Sequence, residues 1–212
     1  MSAIRPRLIY LHGFRSSPQS FKARLLAEAV ARASAANNST AIEFVCPQLP
    51  ASPAQAMHLI LEEVQPHSGD VVIGSSLGGY YARYVAEHRG CRTVLLNPSI
   101  TPALSLAKHL GNTHAFHSDA PFEFRAEYLE ELQRFAVPRV SHPERCLLIA
   151  ATGDELLDWR DMVQAWQGAQ TIVIDGSDHA LSDFPDHIGR VLEFAGIACV
   201  PPPIHTKGSP ER

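Results

Sequence analysis

Gly74-Ser75-Ser76-Leu77-Gly78 fits G-x-S-x-G and lies between the apolar run Asp70-Val71-Val72-Ile73 and the helix-like Tyr80-Tyr81-Ala82-Arg83-Tyr84-Val85-Ala86. A strand that must turn at once into a helix has few backbone routes open to it. At such a turn the serine takes a strained conformation that lifts its hydroxyl off the sheet edge, and the flanking glycines remove side chains that would collide. Gly79 lets the helix lie closer still. Because a bare G-x-S-x-G is common by chance, the strand before it and the helix after it carry the reading. The competing reading is a glycine-rich loop without chemistry. A dinucleotide site is excluded by the lack of G-x-G-x-x-G, and a P-loop by the lack of a following Lys-Ser or Lys-Thr.

Two further regions end in the same way. Arg7-Leu8-Ile9-Tyr10-Leu11 reads as a buried strand running into the glycine-bearing loop His12-Gly13-Phe14-Arg15-Ser16-Ser17, with Ser17-Pro18 expected to start a helix. In serine hydrolases built on an α/β sheet, one oxyanion N–H comes from this early loop and the other from the residue after the nucleophile. Here those are Phe14 and Leu77, with Gly13 as the fallback donor. The plain alternative for His12-Gly13 is a tight turn with a hydrogen-bonded histidine. Later, Cys146 to Ala151 ends in Thr152-Gly153-Asp154-Glu155, and Thr171 to Ile174 ends in Asp175-Gly176-Ser177-Asp178-His179. The order Ser76, Asp154, His179 is the α/β-hydrolase order, and loops at the carboxyl ends of parallel strands converge in space. Asp154 is preferred over Glu155, Asp158 and Asp161 because it directly follows the strand end and Gly153. Asp158 and Asp161 are expected on a helix with Leu156, Leu157 and Met162. Asp175 and Asp178 read as turn formers, His187 as part of a closing helix, and Arg15 as a surface arginine or a contact for an anionic substrate group.

Leu11-His12-Gly13-Phe14 with Ser16-Ser17-Pro18, Pro47-Gln48-Leu49-Pro50, Val72 to Ala82, Asn97-Pro98, Thr152-Gly153-Asp154-Glu155 and Asp178-His179-Ala180 together resemble the small bacterial esterases of the YqiA type. The likeness runs from about residue 5 to residue 196. It implies a compact α/β-hydrolase with carboxylic ester or thioester hydrolase activity, in which Ser76 is the nucleophile, His179 the base and Asp154 its partner. The family is thinly defined by substrate, so the likeness speaks to mechanism more than to role.

Short apolar strands, Ile42 to Cys46, Asp70 to Gly74, Thr93 to Leu96, Cys146 to Ala151 and Thr171 to Ile174, alternate with helices, which argues for an α/β fold with a mostly parallel sheet buried on both faces. Phe21 to Ser34 is expected to be a helix with Phe21, Leu25, Ala29 and Arg32 on one stripe. Pro53 to Val64 should open with Ser52 as cap. The rhythm breaks between Asn97 and Glu144. That stretch, about 98–144, is expected to be a cap over the serine, with Leu104, Phe116, Phe122, Phe124, Tyr128 and Leu132 as candidates for the apolar wall of a substrate pocket. Ordinary core packing is the competing reading for each.

A chain of 212 residues suits one domain, taken here as 1–199, and the Pro-rich, polar 200–212 reads as a disordered tail. Net charge is −4 with eighteen scattered Lys and Arg, which leaves no electrostatic footprint for nucleic acid. No apolar run approaches the length of a membrane span and no signal peptide opens the chain, so a cytoplasmic protein is expected. Cys46, Cys91, Cys146 and Cys199 are widely spaced and read as free thiols. His109, His114, His117 and Asp119 fall in an expected loop without metal-ligand spacing, so neither metal nor cofactor is called for. The expected partner is a small acyl ester or thioester. A peptidase or other amide hydrolase would share the triad, and a binding protein on a dead hydrolase fold would ordinarily have lost one member of it.

Overall fold

In the computed structural model, which describes residues 7–36, 42–116 and 121–198, the apolar runs pair into one six-stranded sheet. Its strands are β1 (Arg7–Leu11), β2 (Glu43–Val45), β3 (Val71–Ser75), β4 (Arg92–Leu96), β7 (Cys146–Ala151) and β8 (Gln170–Ile174). β5 (Gly111–His114) and β6 (Pro121–Phe124) form a separate hairpin. The order is β2-β1-β3-β4-β7-β8, and every neighbouring pair is parallel. The helices are α1 (Phe21–Ala36), α2 (Pro53–His58), α3 (Leu77–Arg89), α4 (Pro102–Leu106), α5 (Glu127–Arg134), α6 (Trp159–Ala165) and α7 (Phe184–Phe194).

Alternation along each strand divides the apolar side chains between two cores. Leu8, Tyr10, Ile73, Val94 and Ile149 meet Leu26 and Val30 of α1 and Val191 of α7 on one face. Ile9, Leu11, Val72, Leu95 and Leu148 meet Met57, Tyr81, Val85 and Trp166 on the other. Each fully buried aliphatic side chain contributes about 1.5–3 kcal/mol, so the four middle strands are the main source of stability. The edges differ. β2 and β8 are the edge strands, each paired along one side only, and they are partly exposed.

Ser52 caps α2 as expected, its hydroxyl accepting from the Gln55 N–H at 3.2 Å. α2 then runs into wider π-type turns over Leu59–Val64. Two expectations are corrected. Ser17-Pro18 does not start α1 but forms a turn, with Ser17 Oγ accepting from the Gln19 N–H, and the helix begins at Phe21. The buried stripe of α1 is Ala23, Leu26, Ala29, Val30 and Ala33, whereas Phe21 is 46% exposed and Arg32 faces solvent. Alanine brings the helix axis close to the sheet, so the small residues lie inside and the large aromatic sits at the rim.

The stretch between β4 and β7 holds α4, a 3₁₀ turn at Ala107–His109, the antiparallel hairpin and α5. His109 and His114 therefore lie on structured backbone rather than in the expected loop, while His117 and Asp119 are outside the described residues, as are Cys199 and the 200–212 tail. α5 is tied to α2 through Glu131, which accepts from Ser52 Oγ at 2.7 Å and the Ala54 N–H at 2.9 Å. Among the described residues no helix is long and apolar enough to cross a membrane.

α3 leaves β3 so tightly that a Cβ on Gly78 would sit 1.9 Å from the Leu11 carbonyl oxygen, and one on Gly74 would sit 2.3 Å from the Gly78 carbonyl oxygen. Backbone blocks backbone there, so no rotamer change relieves the clash. Gly78→Ala should lower the urea unfolding free energy by at least about 2 kcal/mol, read by circular dichroism. A second prediction concerns pH. Burial pushes the Cys46 and Cys146 thiols up to about 12 and Cys91 to about 11, from a usual 9.0. The folded chain keeps these protons while the unfolded chain loses them above pH 9, so this stability is complete below pH 9 and lost as pH rises toward 11 and 12. The urea midpoint should fall between pH 9 and 11, and less steeply in a triple Cys→Ala variant.

Candidate active site

Ser76 occupies the turn between β3 and α3 at φ 54°, ψ −119°, a backbone conformation that an L-residue holds only when its surroundings enforce it. The enforcing bonds are visible. The Ser76 N–H donates to Leu96 O at 3.1 Å, and its carbonyl accepts from the Gly79 N–H at 2.9 Å and the Ser99 N–H at 3.0 Å. The end of β4 thus grips the turn from one side. On the other side Gly13 comes so near that a Cβ there would lie 3.3 Å from Ser76 Cβ.

The structure brings Ser76, His179 and Asp154 together. His179 Nε2 lies 3.0 Å from Ser76 Oγ, and His179 Nδ1 lies 2.8 Å from Asp154 Oδ2. The Asp154 side chain is fully buried and that of His179 is 16% exposed. Asp154 divides its oxygens, Oδ1 accepting from the Leu156 and Leu157 N–H groups at 2.9 Å each while Oδ2 faces the ring. An ionised carboxylate at Nδ1 assigns the proton to that nitrogen and leaves the Nε2 lone pair toward the serine hydroxyl.

The competing acids go elsewhere. Asp158 is the N-cap of α6, not a residue within it, and accepts from the Arg160 N–H at 2.9 Å, with Leu156 and Leu157 also preceding the helix. Asp161 lies in the first turn of α6. Asp178 accepts from the N–H and hydroxyl of Ser182, and Asp175 from the Thr152 hydroxyl. His187 sits on α7 beside Asp183. Two residues without an assigned part brace the His179 loop: Glu155 Oε2 accepts the His179 N–H at 2.9 Å, and Lys22 Nζ donates to Ala180 O. Burial lowers the Lys22 ammonium to about 8, against the opposing pull of Asp178 and Asp154.

Phe14 and Leu77 both border a hollow of about 60 Å³ beside Ser76 and His179. Leu77 is the first residue of α3, where helix geometry leaves an N–H without an intrahelical acceptor. The Phe14 ring meets Phe122 and Phe124 edge-on, with centroids 5.2 and 5.0 Å away, and touches His109 at 5.6 Å. His12 is buried, its Nε2 accepting from the Leu49 N–H at 3.0 Å, as the plain reading of that turn required.

A cleft of about 770 Å³ opens over Ser76 and His179, lined by Phe14, Leu106, His109, Phe116 and Leu156 among others. Of the expected wall residues, Phe116 lines it, 65% exposed and with the Arg15 guanidinium 4.5 Å over its ring. Arg15 also donates from Nε to His114 O at 2.6 Å, which fastens it to the hairpin. Phe122 borders a smaller hollow with Phe14 and Leu77. The remainder are corrected. Phe124 is 1% exposed and Leu132 fully buried, Tyr128 packs on Phe124, and Leu104 is 79% exposed, so these serve packing or face solvent. Leu106, His109, Leu156 and Leu157 went unrecognised as lining residues. The signal for the last two was their place directly after Asp154-Glu155.

With this geometry in hand, likeness to known proteins is informative. Similar proteins include a UPF0227 protein of Vibrio vulnificus (strain CMCP6), 24% identical over 200 residues that span 88% of this chain and 97% of that one. A UPF0227 protein of Vibrio cholerae is 26% identical over 195 residues, covering 88% and 98%. Among solved structures, a putative hydrolase from Agrobacterium vitis S4 superimposes with a TM-score of 0.67 at 15% identity, covering 90% of this chain and 88% of the other. Est1E of Butyrivibrio proteoclasticus with ferulic acid bound gives 0.64 at 12%, covering 89% and 86%. These likenesses show the α/β-hydrolase fold. Residues 7–196 match the family described as "Uncharacterised protein family (UPF0227)", and the chain belongs to that family.

Proposed function

We propose that the protein is a serine hydrolase that cleaves carboxylic esters or acyl thioesters through an acyl-enzyme on Ser76. The observation that carries this reading is the unbroken line from Ser76 Oγ to His179 Nε2 at 3.0 Å and from His179 Nδ1 to Asp154 Oδ2 at 2.8 Å. A serine hydroxyl is a poor nucleophile at neutral pH. His179 accepts its proton as Oγ attacks the carbonyl carbon, then returns it to the departing alcohol or thiol. Asp154 holds the tautomer and stabilises the imidazolium formed on the way. The Phe14 and Leu77 N–H groups take the developing oxyanion, each such donor being worth about 10²–10³ in rate. Water then attacks the acyl-enzyme by the same path, with His179 again as base.

A cleft of about 770 Å³ with Phe14, Phe21, Leu106, Phe116 and Leu156 in its wall suits a small-to-medium apolar acyl group, within the range of ordinary ligand sites. Neither a metal nor a cofactor has a step in this scheme. Cys91 and Cys146 are buried free thiols that suit a reducing compartment, and we place the enzyme in the cytoplasm.

An active-site phosphonate should label the protein once, at Ser76, as read by mass spectrometry of the digest. Ser76→Ala should abolish labelling and ester hydrolysis, and His179→Ala should nearly do so. Wild-type protein of verified fold that resists the phosphonate and turns over no ester, thioester or peptide amide in an acyl series would sink the reading. Asp154→Asn should reduce kcat by about 10⁴, whereas Asp158→Asn, which keeps a capping oxygen for the Arg160 N–H, should leave kcat near the wild-type value. The reverse ranking would move the acid to Asp158.

A further inference from the structure

Asn97 follows the last residue of β4 and is completely buried, yet the proposed reaction gives it no part. Its side-chain amide makes three bonds. Nδ2 donates to Asp178 O at 3.0 Å and to His179 O at 3.2 Å, while Oδ1 accepts the Ala151 N–H at 2.9 Å. Its own backbone N–H donates to Ile149 O at 3.0 Å. The amide orientation is not in question, because a flipped side chain would set its oxygen against two carbonyls.

These partners are not scattered. Ala151 ends β7 three residues before Asp154, and Asp178 and His179 are the loop that carries the base. One planar amide, with two donor hydrogens and one acceptor oxygen, therefore joins the segment bearing the acid to the segment bearing the base. Glu155 holds the His179 N–H and Lys22 the Ala180 carbonyl, so the loop is secured at successive backbone groups from three directions. Glu155, next to Asp154, joins the two segments directly, whereas Asn97 joins them from a third element, the end of β4.

We propose that Asn97 is a positioning residue for the proton-transfer line, holding the His179 backbone against the end of β7 so that the ring spans Ser76 and Asp154. This rests on the hydrolase reading above. A purely conformational explanation exists, since Asn97 has φ 42° and asparagine tolerates that region better than most residues. The two explanations part at glycine. Asn97→Gly keeps the backbone freedom and removes the amide's bonds to the buried Ala151 N–H and to the part-buried Asp178 and His179 carbonyls, of which Asp178 O still accepts the Leu181 N–H at 3.0 Å.

The experiment compares wild type, Asn97→Gly and the near-isosteric Asn97→Asp by ester kinetics, phosphonate labelling rate, thermal melting and the downfield ¹H signal of His179 Nδ1. Misplacement of the base by about 1 Å costs on the order of 10²-fold in rate. Folded Asn97→Gly should therefore lose about 100-fold in kcat and in labelling rate, keep KM within about twofold, and show a broadened or missing His179 signal. Asn97→Asp sets a carboxylate against two carbonyls, and its kcat relative to wild type should rise as pH falls, because the protonated acid regains one donor. Wild-type kcat and an unchanged signal in Asn97→Gly would overturn the proposal. Should Asn97→Gly not fold, wild-type kcat in Asn97→Asp at pH 8 would do the same. Failure of both to fold would also overturn it, since Asn97 would then be a folding element. A wild type that shows the His179 signal but neither labels nor hydrolyses would defeat the hydrolase reading, while the signal in the variants would still test the clamp.

Discussion

The approach of α3 to the end of β1, backbone against backbone at Gly78 and Leu11, is the contact on which the site depends. It is possible only because β1 and β3 are parallel neighbours in register, with Leu11 opposite Gly74. The chain runs from β1 to β2 on one side and resumes at β3 on the other, so a crevice opens where the strand order reverses. Ser76 stands over that crevice. Had the helix kept the wider spacing that side chains impose, the loop after β1 and the first turn of α3 would not face the same point.

Strain at Ser76 is sustained by its neighbours as well as by the Gly79 N–H of its own turn. Leu96 O and the Ser99 N–H, both from the end of β4, hold its amide and carbonyl, and the same strand end carries Asn97. β4 is thus the hub of the site although it supplies none of the proposed reacting groups. Its central place in the sheet, with Val94, Leu95 and Leu96 fully buried, makes it a rigid support. Loops placed on such a support hold their geometry before any substrate arrives.

Much of this was legible because Ser76, Asp154 and His179 each lie within five residues of the carboxyl end of a short apolar run. The G-x-S-x-G turn and the order Ser76, Asp154, His179 pointed to these three, and a parallel sheet sends such strand-end positions to one edge. What could not be read depended on distance between elements. Alanine carries no sign of which face it will bury, and α1 turned its small residues inward because a close approach to the sheet outweighed burial of Phe21. Phe122, Phe124 and Tyr128 looked alike in sequence, yet only the folded hairpin and α5 bring Phe122 and Phe124 against Phe14 and set Tyr128 on Phe124, away from the cleft. Asn97 stood in plain view before Pro98. Its partners lie 54, 81 and 82 residues further along the chain, beyond the reach of any local pattern.

The packing around Phe14 has a mechanical consequence. Its ring is wedged between two other aromatics and a histidine, all from the insertion, while its main chain belongs to the loop after β1. A ring held by three neighbours has little freedom in χ1 and χ2, and its Cα is held with it. The loop after β1 is thereby moored to the insertion through one side chain, and the bulk of this residue acts as a keel for its backbone.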